Sequence, residues 1–223
     1  MNMTASDREL VCRREIVRYS RRLSQRGFMP GTAGNLSAMI DEARILVTPT
    51  GVCKGLLKAS DLVIVDLQGN LLEGTRGVTS ELGMHLTIYQ NRADVRAVVH
   101  AHPPISTAFA CSSCALDELL CQESVMTVGP VPLAPYATTG TSDVATSLAP
   151  FLCGHDAILL ENHGVVTYGK TLTEALLNME TVEHIAQVAL VAHQLGRPRP
   201  LHPEQVQQLR AARNRYLDAA GRE

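Results

Sequence analysis

A short apolar segment that leads directly into two histidines and two prolines is the feature that most constrains how this chain folds. Residues 95–101 are mostly valine and alanine, and Pro103 and Pro104 follow closely. Proline ends a ladder of strand hydrogen bonds but fits the first turn of a helix. The pattern predicts a buried strand over residues 95–101 and a helix that opens at the prolines. Alternate strand residues share a face, so His100 and His102 project to the same side.

The rest of the chain alternates helix-like and strand-like segments. Ser6 and Glu9 form a capping box before an amphipathic pattern, and Ser80 is placed to cap a second helix. The predicted helices cover residues 6–26, 80–91, 171–195 and 203–217, and the predicted strands cover residues 35–40, 44–48, 62–67, 95–101 and 157–160. Neither a repeat nor a linker interrupts this order, which predicts a single domain over residues 1–223. Helices flank a hairpin-rich sheet of mixed or antiparallel pairing, an α/β or α+β arrangement.

Composition excludes several classes of protein. The 20 basic and 22 acidic residues give a net charge of −2, and no basic run marks a nucleic-acid binder. No apolar stretch approaches the roughly 18 residues of a membrane span, and no signal-peptide pattern opens the chain, so we expect a cytoplasmic protein without a membrane partner. Cys111 and Cys114 have the CxxC spacing of a redox pair or of half a zinc site, but no second CxxC accompanies them, and we expect the six cysteines to be reduced.

Three histidines are candidate metal ligands. His100 and His102 lie two residues apart at a strand end, which suits one divalent cation, although buried structural histidines give the same pattern. His163 follows the apolar run 157–160 and precedes Gly164, a residue that permits close backbone approach. Three imidazoles with an open coordination position are typical of catalytic zinc. The alternative for His163 is a loop histidine bonded to the backbone.

Glu81 is the candidate acid or base beside such a cation. It lies at the predicted start of a helix, where the helix dipole alone also favours a carboxylate. His85 follows four residues later on the same helical face, and we interpret it as a core histidine rather than as a spare ligand.

Small polar loops form a second group of candidate site residues. They offer backbone N–H groups and hydroxyls without bulk, as phosphate-binding loops do, although each by itself is also an ordinary turn. None is a nucleotide-binding motif. The loops are 31–35 (GTAGN), 48–51 (TPTG) and 79–80 (TS).

Taken in order and spacing, these motifs resemble the class II aldolase/adducin family, and within it the bacterial L-fuculose-1-phosphate aldolases. The resemblance covers residues 8–217. The segments that carry it are 31–35 (GTAGN), 48–51 (TPTG), 79–81 (TSE), 100–103 (HAHP), 134–141 (APYATTGT) and 161–164 (ENHG).

The resemblance implies a class II aldolase-like domain with a central, mainly antiparallel sheet, assembled as a homotetramer with active sites between subunits. It implies cleavage of a ketose 1-phosphate to dihydroxyacetone phosphate and an aldehyde through a metal-stabilised enediolate. It assigns zinc, or another divalent ion, to His100, His102 and His163, with Glu81 as acid/base and as a ligand of the free metal. It places Tyr216 as a catalytic tyrosine in a mobile C-terminal tail, residues 200–223. The positions that match the phosphate site are Gly34, Asn35, Thr50, Gly51, Thr79 and Ser80.

One departure keeps other reactions open. The aldolases carry a second tyrosine near the position of Cys121, but residues 116–123 read LDELLCQE. Sugar-phosphate 4-epimerases, decarboxylases of phosphorylated sugar acids and a dehydratase share the scaffold. The epimerases have Asp at the position of Glu81, which argues against that branch. A non-enzymatic adducin-type protein lacks the metal histidines, and a plain α/β domain with structural histidines is the remaining alternative.

Overall fold

The computed structural model describes the backbone of residues 5–220 and the side chains of residues 6–215. Seven α-helices and eight strands are formed within this part of the chain, besides three single-turn 3-10 helices. The helices are α1 (Ala5–Gln25), α2 (Leu82–Asn91), α3 (Pro104–Cys111), α4 (Gln122–Met126), α5 (Asp143–Leu148), α6 (Leu172–Leu195) and α7 (Pro203–Ala220). The strands are β1 (Asn35–Met39), β2 (Arg44–Val47), β3 (Val63–Asp66), β4 (Leu71–Glu73), β5 (Ala97–Ala101), β6 (Leu133–Ala134), β7 (Ala157–Leu160) and β8 (Gly164–Gly169).

All eight strands join one sheet in the order β4-β3-β2-β1-β5-β8-β7-β6. Every neighbouring pair is antiparallel except β6 and β7, which are parallel. The predicted fold class, a mainly antiparallel sheet flanked by helices, is therefore confirmed. The strands β1 and β2 form one antiparallel hairpin and β3 and β4 form another, in keeping with the predicted hairpin-rich sheet.

Helices cover both faces of the sheet, because alternate strand residues point to opposite sides. One face packs on α1, α3 and α6, where Leu36, Leu46 and Val99 join the aliphatic core. The other face packs on α2 and α5, with Val47 and Val98 in its core. The central strands β1, β5 and β8 are thus buried on both sides, and their ends hold neighbouring residues in fixed positions.

Some sequence predictions are wrong in detail. Ser6 lies inside α1 rather than at its N-cap. The helix after Ser80 begins at Leu82, with Glu81 at the N-cap position and no side-chain cap, because residues 79–81 form a turn closed by the bond from the Leu82 N–H to the Thr79 carbonyl. The strand predicted from residue 95 begins at Ala97. The strands β6 and β8 and the helices α4 and α5 were not predicted.

Among the described residues, no helix is both long enough and apolar enough to cross a bilayer.

Candidate active site

Three histidines from two separate parts of the sheet meet at one end of its central strands. His100 belongs to β5 and His102 follows it, whereas His163 occupies the tight turn between β7 and β8. Antiparallel pairing of β5 with β8 sets His100 opposite Val166 and brings the two regions together. One nitrogen of each imidazole lies within 4.8 Å of the others, close enough to hold one metal ion.

Backbone contacts fix how these rings are oriented. The Nδ1–H of His100 donates to the carbonyl oxygen of Val165 at 2.9 Å, which leaves the lone pair on Nε2 directed into the cluster. The Nε2 atoms of His100 and His102 are 3.0 Å apart. Gly164 makes room for the second ring, because a Cβ there would lie 2.6 Å from Cδ2 of His102. The close approach expected at Gly164 is confirmed.

The carboxylate of Glu81 completes the cluster from the N-terminus of α2. Its Oε2 lies 3.3 Å from Nε2 of His100, and its Oε1 lies 3.2 Å from Nε2 of His163. Asn35 donates its side-chain N–H to Oε2 at 2.6 Å. Burial favours the neutral acid, but His100, His163 and Asn35 outweigh it and hold the pKa of Glu81 well below its ordinary value. Glu81 is therefore ionised at neutral pH.

The chemistry of this donor set fits a divalent cation. Burial lowers the pKa of His100 to about 3, and burial also lowers the pKa of His102, so both rings are neutral at pH 7. One nitrogen of each of the three rings and the Glu81 carboxylate converge on one point, where their lone pairs can bind a cation. The cluster therefore supplies ligand types that suit a divalent cation, namely three imidazoles and one carboxylate.

The loops predicted to hold a phosphate are tied to each other beside this cluster. Gly34 has a φ of +74°, and a Cβ there would lie 2.9 Å from the carbonyl oxygen of His100, so only glycine fits. The N–H of Thr50 donates to the carbonyl of Gly77, two residues before Thr79. Gly51 has a φ of +67° and open space around it.

Lys54 connects two of these loops. Its buried ammonium group donates to the carbonyl oxygens of Thr32 and Val52 at 2.9 Å each, and burial lowers its pKa. Its role in the described structure is therefore to hold the loops together.

Thr79 and Ser80 lead into the helix that carries the candidate base. Thr79 is buried and its Oγ1 accepts a hydrogen bond from the N–H of Glu81 at 3.4 Å, whereas Ser80 is exposed. Ser80, Glu81, Gly140 and Thr141 line a cavity of about 200 Å³. Gly140 and Thr141, at the end of the segment 134–141, therefore lie near Glu81.

Two predicted features have different outcomes. Tyr216 belongs to α7, but its side chain lies outside the described residues. His85 is fully buried and bonded to Ser37 and Asn35, as expected of a core histidine. Ser37 and Tyr89, which lie behind His85, were not predicted from the sequence. The spacing of Glu81, His85 and Tyr89 by four residues was the available signal.

Comparison with known proteins agrees with this arrangement. The family model for the class II aldolase and adducin N-terminal domain matches residues 14–190. An L-fuculose phosphate aldolase from Methanococcus maripaludis is 39% identical over 184 residues, which are 81% of this chain and 97% of that protein. A 3-oxo-tetronate 4-phosphate decarboxylase from Escherichia coli strain K12 is 37% identical over 187 residues, 82% of this chain and 88% of that protein.

A solved structure of an L-fuculose 1-phosphate aldolase superposes with a TM-score of 0.84 at 33% identity, covering 90% of this chain and 95% of that one. The fold, the matched motifs and these relatives place the chain in one class: it belongs to the class II aldolase and adducin family. It is an enzyme of the class II aldolase superfamily.

Proposed function

We propose that this protein is a zinc-dependent aldolase that cleaves a ketose 1-phosphate of the fuculose type into dihydroxyacetone phosphate and an aldehyde. The observation that carries the proposal is the convergence of His100, His102, His163 and Glu81 at one point. A non-enzymatic scaffold would gain nothing from a partly buried carboxylate held against three imidazoles. Zinc is the proposed ion, and metal analysis distinguishes it from other divalent cations.

The three histidines would hold the cation, and Glu81 would leave it when substrate binds. A bound divalent cation supplies a Lewis acid that stabilises negative charge on the substrate oxygens as the carbon–carbon bond breaks. Glu81 then carries the proton at the carbon beside the carbonyl: it returns this proton during cleavage and removes it during condensation. In a ketose 1-phosphate this carbon is C3, and the bond that breaks joins C3 to C4. The proton lost from the C4 hydroxyl as the aldehyde forms balances the proton gained at C3.

The phosphate of the substrate would lie on the small loops that surround Glu81. Backbone N–H groups and hydroxyls bind an anion without a large positive charge, and the N-terminus of α2 adds its dipole. The residues proposed for this role are Gly34, Asn35, Thr50, Gly51, Thr79 and Ser80. We extend the proposal to a homotetramer whose active sites lie between subunits and include Tyr216. Light scattering tests the homotetramer, and the kinetics of Tyr216→Phe test the role of the tyrosine.

Decarboxylation of a phosphorylated sugar acid is the second candidate. Residues 116–123 contain no tyrosine, and the relative named as a decarboxylase is nearly as similar to this chain as the one named as an aldolase. Loss of carbon dioxide from a 3-oxo-tetronate 4-phosphate also leaves dihydroxyacetone phosphate once a proton reaches the same carbon. Glu81 and the histidines would serve both reactions, and only the departing group differs.

Metal content and product analysis test these proposals together. We expect the purified protein to carry about one zinc ion per chain and to release an aldehyde from fuculose 1-phosphate. Release of carbon dioxide from the sugar acid, without cleavage of the ketose, would favour the decarboxylase instead. Absence of bound metal, or full turnover after its removal, would contradict both.

Two variants assign the residues. His102→Ala is expected to lose both metal and turnover, whereas Glu81→Gln is expected to keep the metal and lose roughly two orders of magnitude in kcat. His184→Ala is the matched control, because His184 is exposed on α6 and lies outside the cluster. Equal metal loss in all three variants would contradict the assignment.

A further inference from the structure

A continuous series of buried polar side chains leads from Glu81 into the interior. Asn35 bonds to Glu81 at 2.6 Å and to Nε2 of His85 on its other side. Nδ1 of His85 lies 2.6 Å from the hydroxyl of Ser37, which lies 2.7 Å from the hydroxyl of Tyr89. Ser37 and His85 are fully buried, and Asn35 is 3% exposed.

The secondary structure places these groups in register. Glu81, His85 and Tyr89 recur every four residues along α2 and its N-cap, so they share one helical face. Asn35 and Ser37 alternate along β1, so they share the face of the sheet that meets this helix. The series therefore joins the helix that bears the candidate base to a central strand of the sheet.

The contacts of Asn35 set the direction of every hydrogen bond in the series. Asn35 donates its amide N–H to Oε2 of Glu81, and its Oδ1 faces Nε2 of His85. His85 must then carry its proton on Nε2, and its Nδ1 must accept from Ser37. The hydroxyl of Tyr89 is left to donate to Ser37. Burial lowers the pKa of His85 to about 4, in keeping with a neutral ring.

We propose that His85 is a positioning residue, which locks the Asn35 amide in the orientation that holds Glu81 ready for proton transfer. The inference rests on the proposed function, because it gives Glu81 the role of the base. The two ends of an amide have nearly the same shape, so Asn35 without a donor at Oδ1 is free to flip. A flipped Asn35 sets an oxygen against the carboxylate and displaces it from the reacting carbon.

The tautomer of His85 gives a test that needs neither metal nor substrate. In ¹⁵N NMR spectra of the metal-free protein labelled at histidine, we expect His85 to be neutral at pH 7 with its proton on Nε2. We expect Ser37→Ala, which removes the donor to Nδ1, to give a mixture of tautomers. A proton on Nδ1 in the wild-type protein, or a charged ring, would overturn the inference.

A double-mutant cycle tests whether His85 acts through Asn35. His85→Leu is expected to lower kcat about 10–100-fold, as expected for a misplaced catalytic group, with KM and metal content nearly unchanged. In the Asn35→Ala background the same substitution is expected to have no further effect, since the group it positions is gone. If the fold-loss of kcat in the double variant equals the product of the two single losses, the inference is overturned.

Two further variants separate positioning from packing. His85→Gln can donate to Asn35 and accept from Ser37, so it is expected to restore most of kcat. Ile88→Val, a conservative change at a buried position of the same helix outside the series, is expected to leave kcat unchanged. If His85→Leu does not fold, Ser37→Ala replaces it in the cycle. If the wild-type enzyme is active but the effects of the two substitutions on kcat are independent, the positioning role of His85 is wrong and the proposed function stands. If the wild-type enzyme is inactive, both the proposed function and this inference are wrong.

Discussion

Replacing Gly164 with alanine tests how closely the sheet holds the candidate metal ligands. A Cβ on Gly164 would lie 2.6 Å from Cδ2 of His102 and 2.7 Å from the carbonyl oxygen of Ala101. Ordinary contact begins at about 3.4 Å, so each overlap is about 0.7 Å or more. The backbone of Gly164 is not in the left-handed region, and the effect of the added methyl group is therefore steric.

The size of the effect follows from what is able to move. The Ala101 carbonyl belongs to β5, which is paired on both sides and buried, so relief must come from the His102 ring or from parting of β5 and β8. Overpacking of this kind costs about 1–3 kcal/mol of unfolding free energy. A ring shift of about 0.7 Å also exceeds the roughly 0.2 Å tolerance of a metal–ligand distance. We expect zinc affinity to fall about 10–100-fold or more.

Urea unfolding of the metal-free protein and chelator competition for zinc measure the two effects. Gly83→Ala is the matched control for stability, because Gly83 is exposed within α2 and a Cβ there meets no atom within 4 Å. The helix propensity of alanine predicts that Gly83→Ala stabilises the protein by about 1 kcal/mol. Wild-type stability and zinc affinity in Gly164→Ala would refute the steric reasoning.

Two further predictions concern buried ionisable groups. Glu183 accepts hydrogen bonds from Ile105 and Ser106 at the start of α3. Glu183→Gln should therefore lower the free energy of unfolding by about 1.5–3 kcal/mol. A loss below about 0.5 kcal/mol in urea titrations would contradict this. Burial lowers the pKa of His85 from 6.5 to about 4, so between these pH values the unfolded chain binds more protons than the folded one, and stability falls as the pH is lowered. This penalty on the folded state is absent above pH 6.5 and reaches about 3 kcal/mol near pH 4. Between pH 7 and pH 4 the wild type should therefore lose up to about 3 kcal/mol more unfolding free energy than His85→Gln, and equal losses in urea titrations would contradict this.

The sequence predicted the local part of the site, because local patterns determine it. Alternation along one strand is enough to place His100 and His102 on one face, and the structure brings their rings together. The position of His163 beside them depends on the pairing of β5 with β8, which joins residues about 65 apart in the sequence. Because β8 was not recognised as a strand, the motifs alone gave no geometric reason for the three rings to meet.

The helix start near Ser80 shows tertiary structure overriding a local preference. Serine is a favourable N-cap residue, but the helix begins beyond it, and Glu81 takes the cap position without a side-chain cap. The carboxylate instead bonds to Asn35 and faces His100 and His163. Local propensity cannot anticipate this choice, because the partners of Glu81 come from β1, β5 and the β7–β8 turn.

The order of the strands in the sheet explains how the residues around Glu81 can keep their positions while other parts of the site differ between related proteins. The strands β1, β5 and β8 are neighbours at the centre of the sheet, and they supply or support Asn35, the histidines and Gly164. Both faces of these strands are packed, so their ends can move little. The segments 116–123 and 134–145 are largely loops and short helices beyond the central strands. Under the proposed function, substitutions in the part of 134–145 that lines a cavity with Glu81 would change the group that leaves the substrate while the central strands keep their positions. This is the physical basis for proposing cleavage and decarboxylation as alternatives on one catalytic centre.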